Sequence, residues 1–119
     1  MEQQLYASAA EEASAVVSAV PARVSKIIFH NDNVAARYLQ IFDSATVPAD
    51  TAVPTICIAV PADTTYVLDF PRDLERRAVG GLDRFPKFTA GVAVCNSTTA
   101  ATKTVGSADS LFYVFGEAE

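Results

Sequence analysis

The sequence predicts a single all-β domain, and three observations support this prediction. Short apolar runs alternate with turn residues along most of the chain, as in sandwiches and barrels. Half of the 119 residues are hydrophobic, which is enough to form the core of one domain. Helical signal is thin; residues 70–77 are expected to form one short turn, with Asp73 as a cap. We therefore expect a two-sheet sandwich of about seven or eight antiparallel strands, for which a jelly roll is one arrangement.

The N-terminal residues 1–13 differ from the rest of the chain. They are rich in Ala, Gln, Glu and Ser and have little apolar periodicity. This composition predicts an arm or a short helix outside the core, followed by the sandwich domain over residues 14–119. In an assembly, such an arm could lie on a neighbouring subunit.

The strands are predicted from apolar or alternating runs. The run 37–43 (R-Y-L-Q-I-F-D) mixes polar and apolar side chains on both faces, so we expect it to be covered on both sides or to face a partner subunit. The short connection between runs 55–60 and 65–70 predicts a hairpin. Gly91, inside run 88–96, predicts a bulge or a close backbone approach. The predicted strands are 15–20, 24–30, 37–43, 55–60, 65–70, 88–96 and 111–115.

Charge and hydropathy exclude two classes of partner. The net charge is −5 and the isoelectric point is about 4.7, so a nucleic-acid backbone is not the expected partner. The densest basic group contains interleaved acids; its members are Arg72, Asp73, Glu75, Arg76 and Arg77. No run approaches the roughly 18 apolar residues of a membrane span. The N-terminal Met-Glu-Gln-Gln lacks a basic region before an apolar core, so export by a signal peptide is not expected.

The two cysteines, Cys57 and Cys95, lie in apolar, strand-like runs. We interpret them as buried, reduced thiols that pack as small hydrophobic side chains. A disulfide is the alternative if the two strands are neighbours.

Residues for catalysis are scarce in this sequence. The one histidine, His30, stands beside a turn, and it is interpreted as a surface residue at a strand end. A catalytic triad would need a nucleophile and an acid to converge on it, and Ser25 and Asp32 are close only in sequence. No phosphate-binding or dinucleotide-binding glycine motif is present. The chain is therefore not predicted to be an enzyme.

Metal and cofactor sites are not predicted either. Two cysteines and one histidine do not fill a zinc shell without a carboxylate, and their spacing fits no zinc pattern. Residues 30–33 (H-N-D-N) offer oxygen ligands but lack the alternating spacing of a calcium loop. We interpret these residues, and aspartates such as Asp63, as turn formers.

Long loops are the most unusual feature of the predicted domain. Residues 44–54 and 97–110 are rich in small residues and nearly uncharged, and ordinary connections are shorter. Such loops are either disordered tips or contact segments that order on a partner. Carbohydrate binding is an alternative use of a β-sandwich surface, although the chain has no tryptophan as a stacking platform.

The run 36–43 (A-R-Y-L-Q-I-F-D) resembles a pattern in small virion proteins of tailed bacteriophages. Further matching pieces extend the resemblance over about residues 24–100; they are 60–62, 68–70, 88–94 and 97–99. The resemblance implies an all-β structural component of the particle, without catalytic residues. Residues 72–81 depart from the pattern as an insertion.

We therefore expect a virion protein that decorates the head by binding the major capsid protein and that self-associates, with a trimer as one option. A tail, neck or fibre-attachment protein is the first alternative, and a carbohydrate-binding module is the second. No cofactor is expected, and assembly would take place in the host cytoplasm. The candidate interface residues are Leu5, Tyr6, Arg37, Tyr38, Gln40, Val47, Pro48, Thr98 and Thr99.

Overall fold

The structure is a computed structural model that describes residues 3–70 and 87–118. The described residues form nine β-strands, and none of them forms a helix capable of crossing a membrane. The all-β prediction is confirmed. The predicted helical turn at 70–77 lies, beyond Phe70, outside the described residues, as do its cap Asp73 and residues 72–81. The strands are β1 (Gln3–Ala7), β2 (Ser14–Ser18), β3 (Ala22–Asn31), β4 (Arg37–Asp43), β5 (Ile56–Val60), β6 (Thr64–Asp69), β7 (Lys87–Phe88), β8 (Val92–Ser97) and β9 (Ser110–Ala118).

Two antiparallel sheets form a sandwich with the order of a jelly roll. The five-stranded sheet runs β1-β9-β3-β6, with the short β7 also paired to β3, and the four-stranded sheet runs β2-β8-β4-β5. The pairs β1·β9, β2·β8, β3·β6 and β4·β5 alternate between the two sheets. Within the five-stranded sheet, the pair β3·β9 joins β1·β9 to β3·β6. Within the four-stranded sheet, the pair β4·β8 joins β2·β8 to β4·β5. One long antiparallel ladder is thus rolled up, as in jelly-roll folds.

The core lies between the sheets and follows from the alternation of each strand. Phe29 in β3 and Phe112 in β9 are fully buried, and their ring centroids are 5.3 Å apart. Leu39 and Ile41 of β4 face them from the four-stranded sheet. This interior burial of large apolar side chains is the main stabilising term of the fold.

The N-terminal residues form a strand that the sequence did not predict. Gln3–Ala7 form edge strand β1 on β9, so the prediction of an arm or short helix outside the core was wrong for these residues. Backbone hydrogen bonds to β9 require no apolar periodicity, which is why the composition concealed the strand. Leu5 and Tyr6 pack against the core from this strand.

Two further predictions concern connections between strands. The predicted hairpin of runs 55–60 and 65–70 is wrong, because β5 pairs with β4 in one sheet and β6 pairs with β3 in the other. The close approach predicted at Gly91 is confirmed. A Cβ atom at Gly91 would lie 2.5 Å from the carbonyl oxygen of Ser18. The connection from β7 to β8 therefore needs glycine at this position.

Candidate functional site

Gln40 organises the outer face of the four-stranded sheet. It lies in β4 and is fully buried. Its Nε2 donates toward three carbonyl oxygens of the 97–110 loop, those of Thr99, Ala100 and Thr102, at 2.9, 3.1 and 3.3 Å. The loop therefore folds back over β4 and does not project from the domain.

The 44–54 loop and the 97–110 loop are bonded to each other. The backbone N–H of Thr51 donates to the Lys103 carbonyl at 2.7 Å, and that of Lys103 donates to the Ala52 carbonyl at 2.8 Å. Lys103 is 4% exposed, and its Nζ lies 2.9 Å from Asp50 Oδ1. This ammonium group holds the pKa of Asp50 below its ordinary value. These contacts order both loops within the chain itself. The prediction that the loops are disordered tips, or that they order on a partner, is therefore wrong.

A small apolar cluster completes this covered face. Phe42 and Cys95 are buried together with Ala93, and Ala52 of the 44–54 loop packs against them. β4 is thus covered by the core on one face and by its own chain on the other. Its mixed pattern correctly predicted coverage on both sides, and intramolecular loops supply that coverage.

The candidate interface residues fall into two groups. Gln40 is buried and bonded within the chain, so it does not reach the surface, and its assignment as an interface residue was wrong. The others reach solvent. Leu5, Tyr6, Arg37, Tyr38 and Pro48 are partly exposed, and Val47, Thr98 and Thr99 are exposed.

Tyr6 is held within the chain. Its hydroxyl donates to Glu12 Oε2, which also accepts from Ser8 Oγ at 2.6 Å. Burial, with the neighbouring Glu12 carboxylate, raises the pKa of Tyr6 to about 12. These bonds join β1 to the connection that leads into β2, so Tyr6 already has a structural role.

The outer face of the five-stranded sheet carries an apolar stripe across its middle strands. Ile28 is the cross-strand partner of both Val67 and Tyr113, so the three side chains share one face. Val67 is 50% exposed, and Ile28 and Tyr113 are partly exposed. Phe115 follows on the same face, with Lys26 Nζ 5.6 Å from its ring centroid. The sequence did not identify this surface, because its residues come from three strands whose pairing was unknown.

His30 lies at the end of β3, partly exposed, as its sequence position predicted. No catalytic triad forms with Ser25 and Asp32, because Ser25 Oγ donates to the Phe115 carbonyl at 3.2 Å. Ser25 is also five residues away along the strand, about 16 Å at strand spacing. Instead, His30 meets Asp32 and Asp63, and their potential ligand atoms lie within 4.8 Å of one another. The described part of the chain forms no pocket, either at this cluster or elsewhere.

The two cysteines are separated by β4. Cys57 in β5 and Cys95 in β8 both lie opposite Gln40, so their Cα atoms are about 10 Å apart, beyond the roughly 7 Å limit of a disulfide. Both thiols are free. Cys95 is buried as predicted, and burial raises its pKa to about 11. Cys57 is exposed, so the prediction of burial was wrong for this residue.

Comparison with known proteins yields no match to a protein family, to a curated protein or to a solved structure.

Proposed function

We propose that this protein is a non-enzymatic structural component of a tailed-phage virion, which decorates the head by binding the major capsid protein. The observation that carries the proposal is the jelly-roll order of the sheets together with an apolar outer face on one of them. Jelly rolls are used by viral capsid proteins as well as by lectins and cupins. Because many functions share this fold, the surface must supply the rest of the argument.

The outer face of the five-stranded sheet suits contact with a large partner. Ile28, Val67 and Tyr113 form an apolar centre, while Lys26 and Asp69 lie opposite each other at its margin. An apolar centre with a polar rim is the usual anatomy of a protein interface. The exposed residues Val47, Thr98 and Thr99 of the opposite, covered side are the second candidate contact.

A matched pair of valine substitutions tests both the function and the surface. Val67→Asp places a charge on the apolar stripe, and Val53→Asp places the same charge on the 44–54 loop, where Val53 is 74% exposed. We expect Val67→Asp to weaken cosedimentation with phage heads at least tenfold and Val53→Asp to leave it unchanged, because burying an unpaired charge at an interface is costly. Circular dichroism of both variants checks that they fold.

Other outcomes would overturn parts of the proposal. Absence of the chain from purified virions of its phage, measured by mass spectrometry, would reject a virion role. Loss of binding with Val53→Asp alone would move the contact to the loop side. Labelling of tails or necks in electron micrographs would replace head decoration with the tail, neck or fibre-attachment alternative.

A carbohydrate-binding role is the second candidate function. Tyr113 and Phe115 alternate along β9, so both rings lie on the outer face, where aromatic side chains can stack on sugar rings. This role predicts glycan-array binding that Tyr113→Ala abolishes. An array without binding would reject it.

A further inference from the structure

His30, Asp32 and Asp63 are brought together from two separate parts of the chain. His30 is the penultimate residue of β3, Asp32 follows this strand, and Asp63 lies in the turn between β5 and β6. One potential ligand atom from each lies within 4.8 Å of the other two. Ligands bound to one tetrahedral ion at about 2.1 Å are about 3.4 Å apart. Both aspartates are exposed, so small side-chain rotations would close the remaining distance.

The backbone that carries these residues is held by a buried amide. Asn31 is fully buried, and its Nδ2 donates to the carbonyl oxygens of Ala35 at 3.1 Å and Pro61 at 3.0 Å. The N–H of Asp63 donates to the Asn33 carbonyl at 3.0 Å. The loop after β3 and the turn before β6 therefore keep a fixed separation, which brings the three side chains together before any ion is bound.

The histidine ring is also oriented. His30 Nδ1 lies 2.8 Å from Thr65 Oγ1 across the β3·β6 pair. Histidines that bind metals commonly use one ring nitrogen in such a contact and the other on the ion. Thr65 thus supplies the kind of supporting contact that a metal-binding imidazole requires.

The charge around the three residues favours a cation. The carboxyl of Glu11, in the β1–β2 connection, lies beside Asp32, and Asp109 is close to both. Asp109 Oδ2 accepts from Asn33 Nδ2, whereas its Oδ1 is buried without a hydrogen-bond donor. Over residues 3–70 and 87–118, no lysine or arginine forms an ion pair with these carboxyls. These carboxyl groups make the local charge negative, and a negative local charge attracts a cation.

We propose that His30, Asp32 and Asp63 bind one divalent transition-metal cation of the zinc class, with Glu11 at its margin. An imidazole nitrogen combined with carboxylate oxygens suits zinc better than calcium or magnesium, which prefer all-oxygen shells. The ion would join the β1–β2 connection, the end of β3 and the β5–β6 turn at one end of the sandwich. This inference does not depend on the proposed virion role.

Zinc chloride added to the chelator-treated chain tests the site directly. The exposed thiol of Cys57 is a competing zinc ligand, so all measurements use a Cys57→Ser background. His30 is the single histidine of the sequence, so its imidazole NMR signals report on this site alone. We expect one zinc ion per chain by isothermal titration calorimetry, together with a shift of the His30 signals.

Matched variants separate the cluster from general surface charge. Asp63→Asn should weaken zinc binding at least tenfold, and asparagine tolerates the positive φ of 51° at this position. His30→Ala should have a similar effect. Asp69→Asn removes the same charge from the same sheet, away from the cluster, and should leave the affinity unchanged. Unmoved His30 signals at millimolar zinc, or equal losses in Asp63→Asn and Asp69→Asn, would overturn the proposal.

Discussion

The two outer faces of the sandwich are built from similar alternating strands but differ in what lies over them. On the four-stranded sheet, outward side chains such as Gln40, Phe42 and Cys95 are buried beneath the 44–54 and 97–110 loops. On the five-stranded sheet, the corresponding side chains, such as Ile28 and Val67, remain partly or largely exposed. An amphipathic strand pattern therefore does not by itself determine which face meets solvent.

The covered face is held mainly by hydrogen bonds. Gln40 Nε2 donates toward three loop carbonyls, and Asp50 accepts from both the Lys103 ammonium and the Val105 N–H. The loops contain too few large apolar residues to be held by burial, so polar side chains of β4 and of the loops themselves take this role. Buried polar contacts of this kind favour one loop conformation, because a buried polar group that loses its hydrogen-bond partner destabilises the folded state.

The largest predicted effect is on the free energy of unfolding, when one phenylalanine of each outer face is replaced by alanine. Phe42 is 3% exposed, so Phe42→Ala should lower the free energy of unfolding by about 3–5 kcal/mol. Phe115 is partly exposed and contacts Lys26, so Phe115→Ala should cost about 1–2 kcal/mol. Urea unfolding followed by circular dichroism measures both. Equal losses would show that the two faces are not differently covered in solution.

A smaller effect is predicted for the amide that anchors the covering loop. Gln40→Ala leaves the carbonyls of Thr99, Ala100 and Thr102 without this donor and should cost about 1–3 kcal/mol. Gln4→Ala, at an exposed position of edge strand β1, should stay within about 0.5 kcal/mol of the native chain.

Hydrogen exchange localises the effect of the Gln40 substitution. The Lys103 and Thr104 amides donate to the Ala52 carbonyl and to Ser97 Oγ, and they should exchange faster in Gln40→Ala. Unchanged exchange at these two amides would indicate that the loop is anchored by other contacts.

The smallest predicted effect is the acid sensitivity of the covered face. Lys103 lowers the pKa of Asp50, so the folded state binds a proton less readily than the unfolded chain. The resulting stabilisation is present above the ordinary aspartate pKa of about 4 and is lost as the pH falls through the lower folded value. Urea midpoints measured between about pH 5 and pH 2 should fall less steeply in Asp50→Asn and in Lys103→Met. An unaltered slope in both variants would contradict this role of the ion pair.

Local patterns predicted some elements well and others poorly. β4 spans 37–43 as predicted, because alternation and aromatic content are strong over seven residues. β1 was missed, because its residues show little apolar periodicity and the strand forms by pairing with the edge of β9. The β5–β6 connection resembles a hairpin loop in length, yet each strand finds its partner in a different sheet.

The histidine–carboxylate cluster illustrates the same limit. Two complete strands, β4 and β5, separate Asp63 from His30 along the sequence. The turn chemistry of Asp63 is also a sufficient local explanation for its presence. Only the β3·β6 pairing, with Asn31 bridging to Pro61, brings the aspartate beside the imidazole.

The sequence by itself determined the all-β class, the bounds of strands such as β4 and the acidic net charge. These properties depend on side-chain periodicity and composition, which act over a few residues. The tertiary structure decided the jelly-roll pairing, the coverage of one outer face and the meeting of His30 with Asp63. These features depend on which distant segments bury surface and satisfy hydrogen bonds together, and short sequence patterns carry no information about such partners.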